Sequence, residues 1–144
     1  MGHLNSKHAP RLLAALLCLG TGLSAAEPVP IVHPGNAASA VSVDDLRRIY
    51  LGKSGTLADG TAVVPVDQAT GTPSRQAFYT RFIDKSESQV TAYWSRLIFT
   101  GKGQPPQAVG DDAAVKKWVA GHPDAIGYID DSAVDASVKV LQVR

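Results

Sequence analysis

One stretch limits what this chain can fold into more than any other. It reads Ala62-Val-Val-Pro-Val-Asp-Gln-Ala-Thr-Gly-Thr-Pro-Ser-Arg-Gln-Ala-Phe-Tyr79. Ala62 to Val66 has the length and apolar character of a buried strand. Thr72 is a good N-cap, and Pro73 presets the first helical residue. A strand handed through a short loop to a helix is the repeating unit of layered α/β structure. The same junction gathers free backbone N–H groups, the hydroxyls of Thr72 and Ser74 and the Arg75 guanidinium, a combination suited to a small anion. Plain helix capping uses the same residues, so the local sequence leaves both roles open.

The rest of the chain repeats the alternation. Val29 to Val32 reads as a short strand ending at the His33-Pro34-Gly35 turn, and Asn36 to Ala40 as a small-residue linker. Ser42 with Asp45 caps a helix over Val43 to Tyr50, whose Leu46, Ile49 and Tyr50 share a face and which Gly52 ends. Pro73 to Ile83 is helical, with Phe78, Phe82 and Ile83 inward. Ser86 and Gln89 form a capping box for a longer helix bearing the stripe Val90, Tyr93, Trp94, Leu97 and Ile98. Gly101 to Pro106 is irregular, and Asp111 to Ala120 is a further helix. Ala125 to Ile129 and Val138 to Val143 are strands, and Gly127 inside the first marks a bulge, a close backbone approach or tight packing against a helix.

Residues 1–26 read as a secretory signal peptide. Lys7 and Arg11 form its basic start, Leu12 to Leu19 an apolar core too short to span a bilayer, and Ser24-Ala25-Ala26 the cleavage site. Residues 27–144 then form one domain, exported and periplasmic, with no membrane span after cleavage. The single cysteine, Cys18, falls in the leader, so no disulfide is expected in the domain. Without Lys7 and Arg11 the 14 basic residues fall to 12 against 13 acids, a formal charge of −1 with no run of one sign. Neither nucleic acid nor an anionic membrane is favoured as a partner.

Catalysis finds little footing. His33 and His122 sit beside prolines in turn-like sequence, and no zinc-ligand spacing occurs. Asp111-Asp112 and Asp130-Asp131 are adjacent pairs whose side chains diverge, which suits capping and solvation better than a carboxylate dyad. Gly71-Thr-Pro-Ser74 lacks the flanking glycines of a nucleophile elbow, and Gly101-x-Gly103 lacks the helix of a dinucleotide site. Trp94 and Phe99 fit a core stripe better than a ligand box. The expectation is a non-enzyme without metal or cofactor.

Taken in order, Leu46-x-x-Ile49-Tyr50-x-Gly52-Lys53, Gly71-Thr-Pro-Ser-Arg75, Phe78, Tyr93-Trp94, Phe99-x-Gly101-x-Gly103 and Pro123-x-Ala125-Ile-Gly-Tyr-Ile129 resemble the second lobe of periplasmic phosphate-binding proteins, the receptors of phosphate ABC transporters. The resemblance runs from about Ile31 to Val143. It implies a single lobe of a type 2 periplasmic-binding-protein fold: α/β, with a mixed, mainly parallel sheet of about four or five strands flanked by helices. It also implies phosphate or another small oxyanion bound by Gln68, Gly71, Thr72, Ser74 and Arg75. Two substitutions depart from the family: Pro73 replaces a glycine and removes an N–H, and Gln68 stands where an arginine is usual. The expected partners are the oxyanion and an envelope or transporter protein, or a second copy that closes the site. The alternative is a single-lobe interaction adaptor in the envelope with a vestigial anion site.

Overall fold

Strand β1 (Pro28–Val32) lies inside a five-stranded sheet and alone runs against the other four. The computed structural model describes residues 25–144; apart from Ala25 and Ala26, the expected signal peptide lies outside the described residues. The sheet order is β4 (Gln107–Ala108), β3 (Val64–Asp67), β5 (Ala125–Asp130), β1 and β6 (Lys139–Val140). β3 pairs in parallel with both β4 and β5, while β1 is antiparallel to both β5 and β6. The sheet is thus mixed but mainly parallel, as expected. A second, two-stranded parallel sheet joins β2 (Ala40–Val41) to β7 (Gln142–Val143).

Alternation along the strands sends side chains to two helical layers. Val32, Ile126 and Tyr128 face α1 (Val43–Tyr50), α2 (Pro73–Phe78) and α3 (Glu87–Phe99), with Leu46, Tyr50, Phe78, Val90 and Trp94 among the buried partners. Ile31, Val66, Ala125 and Ile129 face α4 (Asp112–Gly121) through Val115 and Val119. Both faces are covered, which is why β5 is an unbroken apolar run. Gly127 points at α4. A Cβ there would lie 2.7 Å from Val115 Cγ1 and 3.2 Å from both Val119 and Val66, so the glycine is needed for helix-on-sheet packing rather than for a bulge.

The caps are as the sequence suggests. Ser42 accepts from the Asp45 N–H at 3.0 Å, Ser86 and Gln89 form a complete capping box, and Asp111 caps α4. Four features differ from expectation. The helix begun at Pro73 widens into a π turn over Tyr79–Ile83, which brings Tyr79, Phe82 and Ile83 inward before Asp84 ends it with a left-handed φ of 59°. The run Val138 to Val143 is two strands, split where Leu141 turns into the core. Ile98 and Phe99 leave the buried stripe and are exposed, Phe99 to 93%. β2 and β4 are two-residue pairings in segments without periodicity, so no pattern announced them.

Candidate functional site

β3 and β5 both end at the same edge of the sheet, and the loops leaving them start α2 and the turn after Asp130. Crevices at the carboxyl ends of parallel strands are the usual ligand position in open α/β sheets. Here that position holds a cavity of about 630 Å³ with Gln68, Thr72, Ser74, Asp112 and Asp130 in its lining.

Gln68 is fully buried and organises the cavity floor. Its Nε2 donates to Asp112 Oδ1 at 2.7 Å and to the Tyr128 carbonyl at 3.0 Å. Its Oε1 accepts from the Thr72 hydroxyl at 3.0 Å. Thr72 Oγ1 in turn accepts from the Arg75 N–H at 3.3 Å as the N-cap of α2. The loop reaches this geometry through Gly71, whose φ of +89° favours glycine. Gln68 and Thr72 are therefore committed to one another and to the neighbouring β5 and α4. Ser74 differs. It is 3% exposed, lines the cavity, and its hydroxyl makes no hydrogen bond among the described residues.

Arg75 turns away from the cavity, which it does not line. Its Nη1 lies 2.8 Å from Asp67 Oδ2 and 3.0 Å from the Gln68 carbonyl, and its Nε donates to Glu87 at 2.9 Å. Asp67, at the end of β3, also accepts from the hydroxyls of Tyr79 (2.5 Å) and Tyr128 and from the Gln68 N–H at 2.8 Å. Burial, reinforced by the Asp67 charge, pushes the phenols of Tyr50, Tyr79 and Tyr128 well above their ordinary range. Burial also opposes the Arg75 charge, but the Asp67 carboxylate and the other negative partners outweigh it and raise the guanidinium pKa. Arg75, Asp67 and Glu87 thus form a buried charged brace that ties α2 to β3 and α3.

Sequence reasoning missed the acids around the cavity. Glu27, Asp111, Asp112, Asp130 and Asp131 all line it, and among the described residues no lysine, arginine or histidine does. Asp112 Oδ1 accepts from the Asp130 N–H at 3.1 Å as well as from Gln68. Asp130 accepts from Ser132 and from the Glu27 N–H at 2.7 Å; these bonds, that of the Ser132 hydroxyl foremost, hold its carboxyl below the usual range. The two acidic pairs were visible as a helix start and a strand end, and only the sheet order brings them together. Among the described residues no group of three ligating side chains could hold a metal ion.

Solved structures share this fold. An ABC-type phosphate transport receptor from Vibrio cholerae superposes with a TM-score of 0.66 at 19% identity, over 82% of this chain and 46% of that one. A protein described as a phosphate ABC transporter substrate-binding protein with bound phosphate, from Clostridium perfringens, gives 0.64 at 24% identity over 82% and 45%. The fold matches a single lobe of the periplasmic-binding-protein fold. PstS from Borrelia burgdorferi matches the lobe equally well in extent, with 0.61 at 14% identity over 83% and 47%. At these identities the likeness is one of fold, and the lobe spans less than half the length of the structures it matches. No family model and no curated protein matches the chain. Among the described residues no helix is long and apolar enough to cross a membrane.

Proposed function

We propose that this lobe is an exported, periplasmic solute-binding domain that receives a small oxyanion, phosphate first, in the cavity at the start of α2. One observation carries the reading: Ser74, a buried residue whose hydroxyl has no hydrogen-bond partner among the described residues, lines the cavity at the carboxyl ends of β3 and β5. Its hydroxyl has no protein partner among the described residues and is not sealed from the cavity, so a ligand oxygen there can hydrogen-bond to it. In this reading Ser74 touches the anion. Gln68, Gly71 and Thr72 shape the loop that presents it, and Arg75 fixes α2 from behind. The role is binding, without catalysis or cofactor. The surrounding carboxylates disfavour a bare anion, so a second body that brings cations, an envelope or transporter protein or another copy, completes the site.

A thermal-melt titration with phosphate and sulfate, followed by calorimetry, tests this. A ligand at one hundred times its Kd adds about 2.7 kcal/mol of stability. Ser74→Ala should remove the phosphate response with little change in the unliganded melting temperature. An unchanged response in that variant would discard the site. The adaptor reading is favoured by the internal commitment of Gln68, Thr72 and Arg75; it predicts no response to any oxyanion, with or without a second body.

A further inference from the structure

Glu27, immediately before β1, is held from three sides. Its backbone N–H donates to Asp130 Oδ1 at 2.7 Å. Its carbonyl accepts from the Asp131 N–H at 2.9 Å. Its carboxylate pairs with Arg81 Nη1 at 3.0 Å, a weak contact because both side chains are more than half exposed. Asp130 divides its oxygens between two partners: Oδ2 accepts from the N–H and hydroxyl of Ser132, and Oδ1 is left for the Glu27 nitrogen. Antiparallel pairing runs on from there, with Pro28 opposite Asp130 and Val29 opposite Ile129. Ser24-Ala25-Ala26 is the expected cleavage site, so the bond to be cut joins Ala26 to this anchored residue. In the uncut chain the Glu27 nitrogen is a neutral amide with one proton to give. After cleavage the same atom is an α-ammonium, beside a carboxylate that already faces it.

We propose that leader removal cuts the Ala26–Glu27 bond and that the new α-ammonium of Glu27 forms an ion pair with Asp130, fastening the start of β1 to the end of β5. In the hydrolysis, carried out by a leader peptidase, water gives its OH to the Ala26 carbonyl carbon and its H to the Glu27 nitrogen as the C–N bond breaks. The Ala26 acid then releases a proton and the amine takes one up. The geometry selects this bond. Cleavage one residue earlier leaves a neutral amide beside Asp130, and cleavage one residue later removes Glu27 with both of its backbone contacts. Around the amine stand Asp130 and Asp131 at the end of β5, Asp111 and Asp112 at the start of α4, and the Glu27 carboxylate. Arg81 and Arg144 line the adjoining cavity with Glu27. Carboxylates outnumber cations there, which favours the protonated amine. The inference rests on the exported reading above for the cleavage alone, and not on the oxyanion.

The test expresses the full chain for export and reads the N-terminus of the product by intact mass. The expected first residue is Glu27, and any other first residue overturns the proposal. Competitive acetylation from about pH 6 to 10, with peptide mass mapping, then measures how tightly the terminus holds its proton; an ordinary α-amino group titrates at about 7.7–8.0. The expected value is higher by about half a unit or more, which leaves at least about threefold less free amine at neutral pH. Asp130→Asn should restore most of that reactivity, and asparagine still accepts from Ser132, so the turn is kept. An ammonium whose folded-state pKa is raised stabilises fully below its unfolded value and ceases to as pH passes the folded one. The gap in melting temperature between parent and Asp130→Asn should therefore narrow from about pH 7 to 10, whereas a lost turn contact alone would leave it constant. Equal reactivity of the two proteins, or a gap independent of pH, would overturn the proposal. A leader left uncut sinks the exported reading and this one together. A Glu27 terminus with ordinary reactivity sinks this one alone, and a raised value without any phosphate response sinks only the oxyanion.

Discussion

The brace between Arg75 and Asp67 gives the sharpest test of how α2 is held. In the Arg75→Met variant the aliphatic part of the side chain is retained, and Asp67 is left 3% exposed in its side chain without a countercharge. Removing one partner of a buried ion pair costs about 3–5 kcal/mol. Asp67 keeps the Tyr79 and Tyr128 hydroxyls and the Gln68 N–H, and Glu87, less deeply buried, can turn towards water. Those donors place the expected loss near the lower end, about 3 kcal/mol, a large share of the roughly 5–15 kcal/mol available to a domain. Asp67→Asn removes the charge and keeps one acceptor oxygen; Tyr79 and Tyr128 donate to different oxygens of Asp67, so one of their hydroxyls must accept from the amide NH2 instead. The double variant should therefore cost at least about 1.5 kcal/mol less than the sum of the single ones. Urea denaturation followed by circular dichroism measures all three. A loss below about 1 kcal/mol for Arg75→Met, or strict additivity, would refute the argument that the pair is coupled and buried.

Other expectations follow from single contacts. Gly127→Ala should cost about 1–3 kcal/mol by forcing its Cβ against Val115 and Val119, and Val115→Ala should recover part of it in denaturant titrations. Gln68→Glu sets a buried carboxyl against Asp112, so its folded-state pKa rises; the deficit relative to the parent should be small near pH 4 and grow as pH climbs, as urea midpoints at several pH values would reveal. Tyr50, Tyr79 and Tyr128 bind their protons more tightly folded than unfolded, so their stabilising contribution is complete below about pH 10 and fades above it. Phenolate absorbance from these three should therefore appear together with loss of circular dichroism, and separate, earlier ionisation of all four tyrosines would contradict their burial.

What could be read from the chain depended on whether the signal was local. Caps at Ser42, Thr72 and Ser86 are determined within four residues, and each stands where the hydroxyl and its N–H partner were expected. The face-sharing of Leu46, Ile49 and Tyr50 likewise needs one helix alone. The π turn at Tyr79–Ile83 was not legible, because Pro73 to Ile83 has one continuous helical pattern and the widening answers to core packing. Leu141 splits a strand for the same kind of reason: its side chain belongs to a core layer assembled from distant segments. Arg75 shows the limit most plainly. Its closeness to Thr72 and Ser74 suggested an anion ligand, whereas its direction is set by Asp67 at the end of β3 and Glu87 at the start of α3. Neither partner carries a sequence mark that links it to the loop.

The acidic cavity has a cause in the fold itself. Parallel strands end together, and the chain leaving each of them must start a helix or a turn at that same edge. Helix and turn starts favour aspartate, whose carboxylate satisfies free N–H groups and meets the positive end of the backbone dipole. Asp111 at the start of α4 and Asp130 at the end of β5 each serve such a local need. Each choice stabilises its own element, but the sheet order β4-β3-β5 sets them side by side with Asp112, Asp131 and Glu27. The accumulated charge is then a property of the edge as a whole, poorly matched to an isolated anion and well matched to a cation.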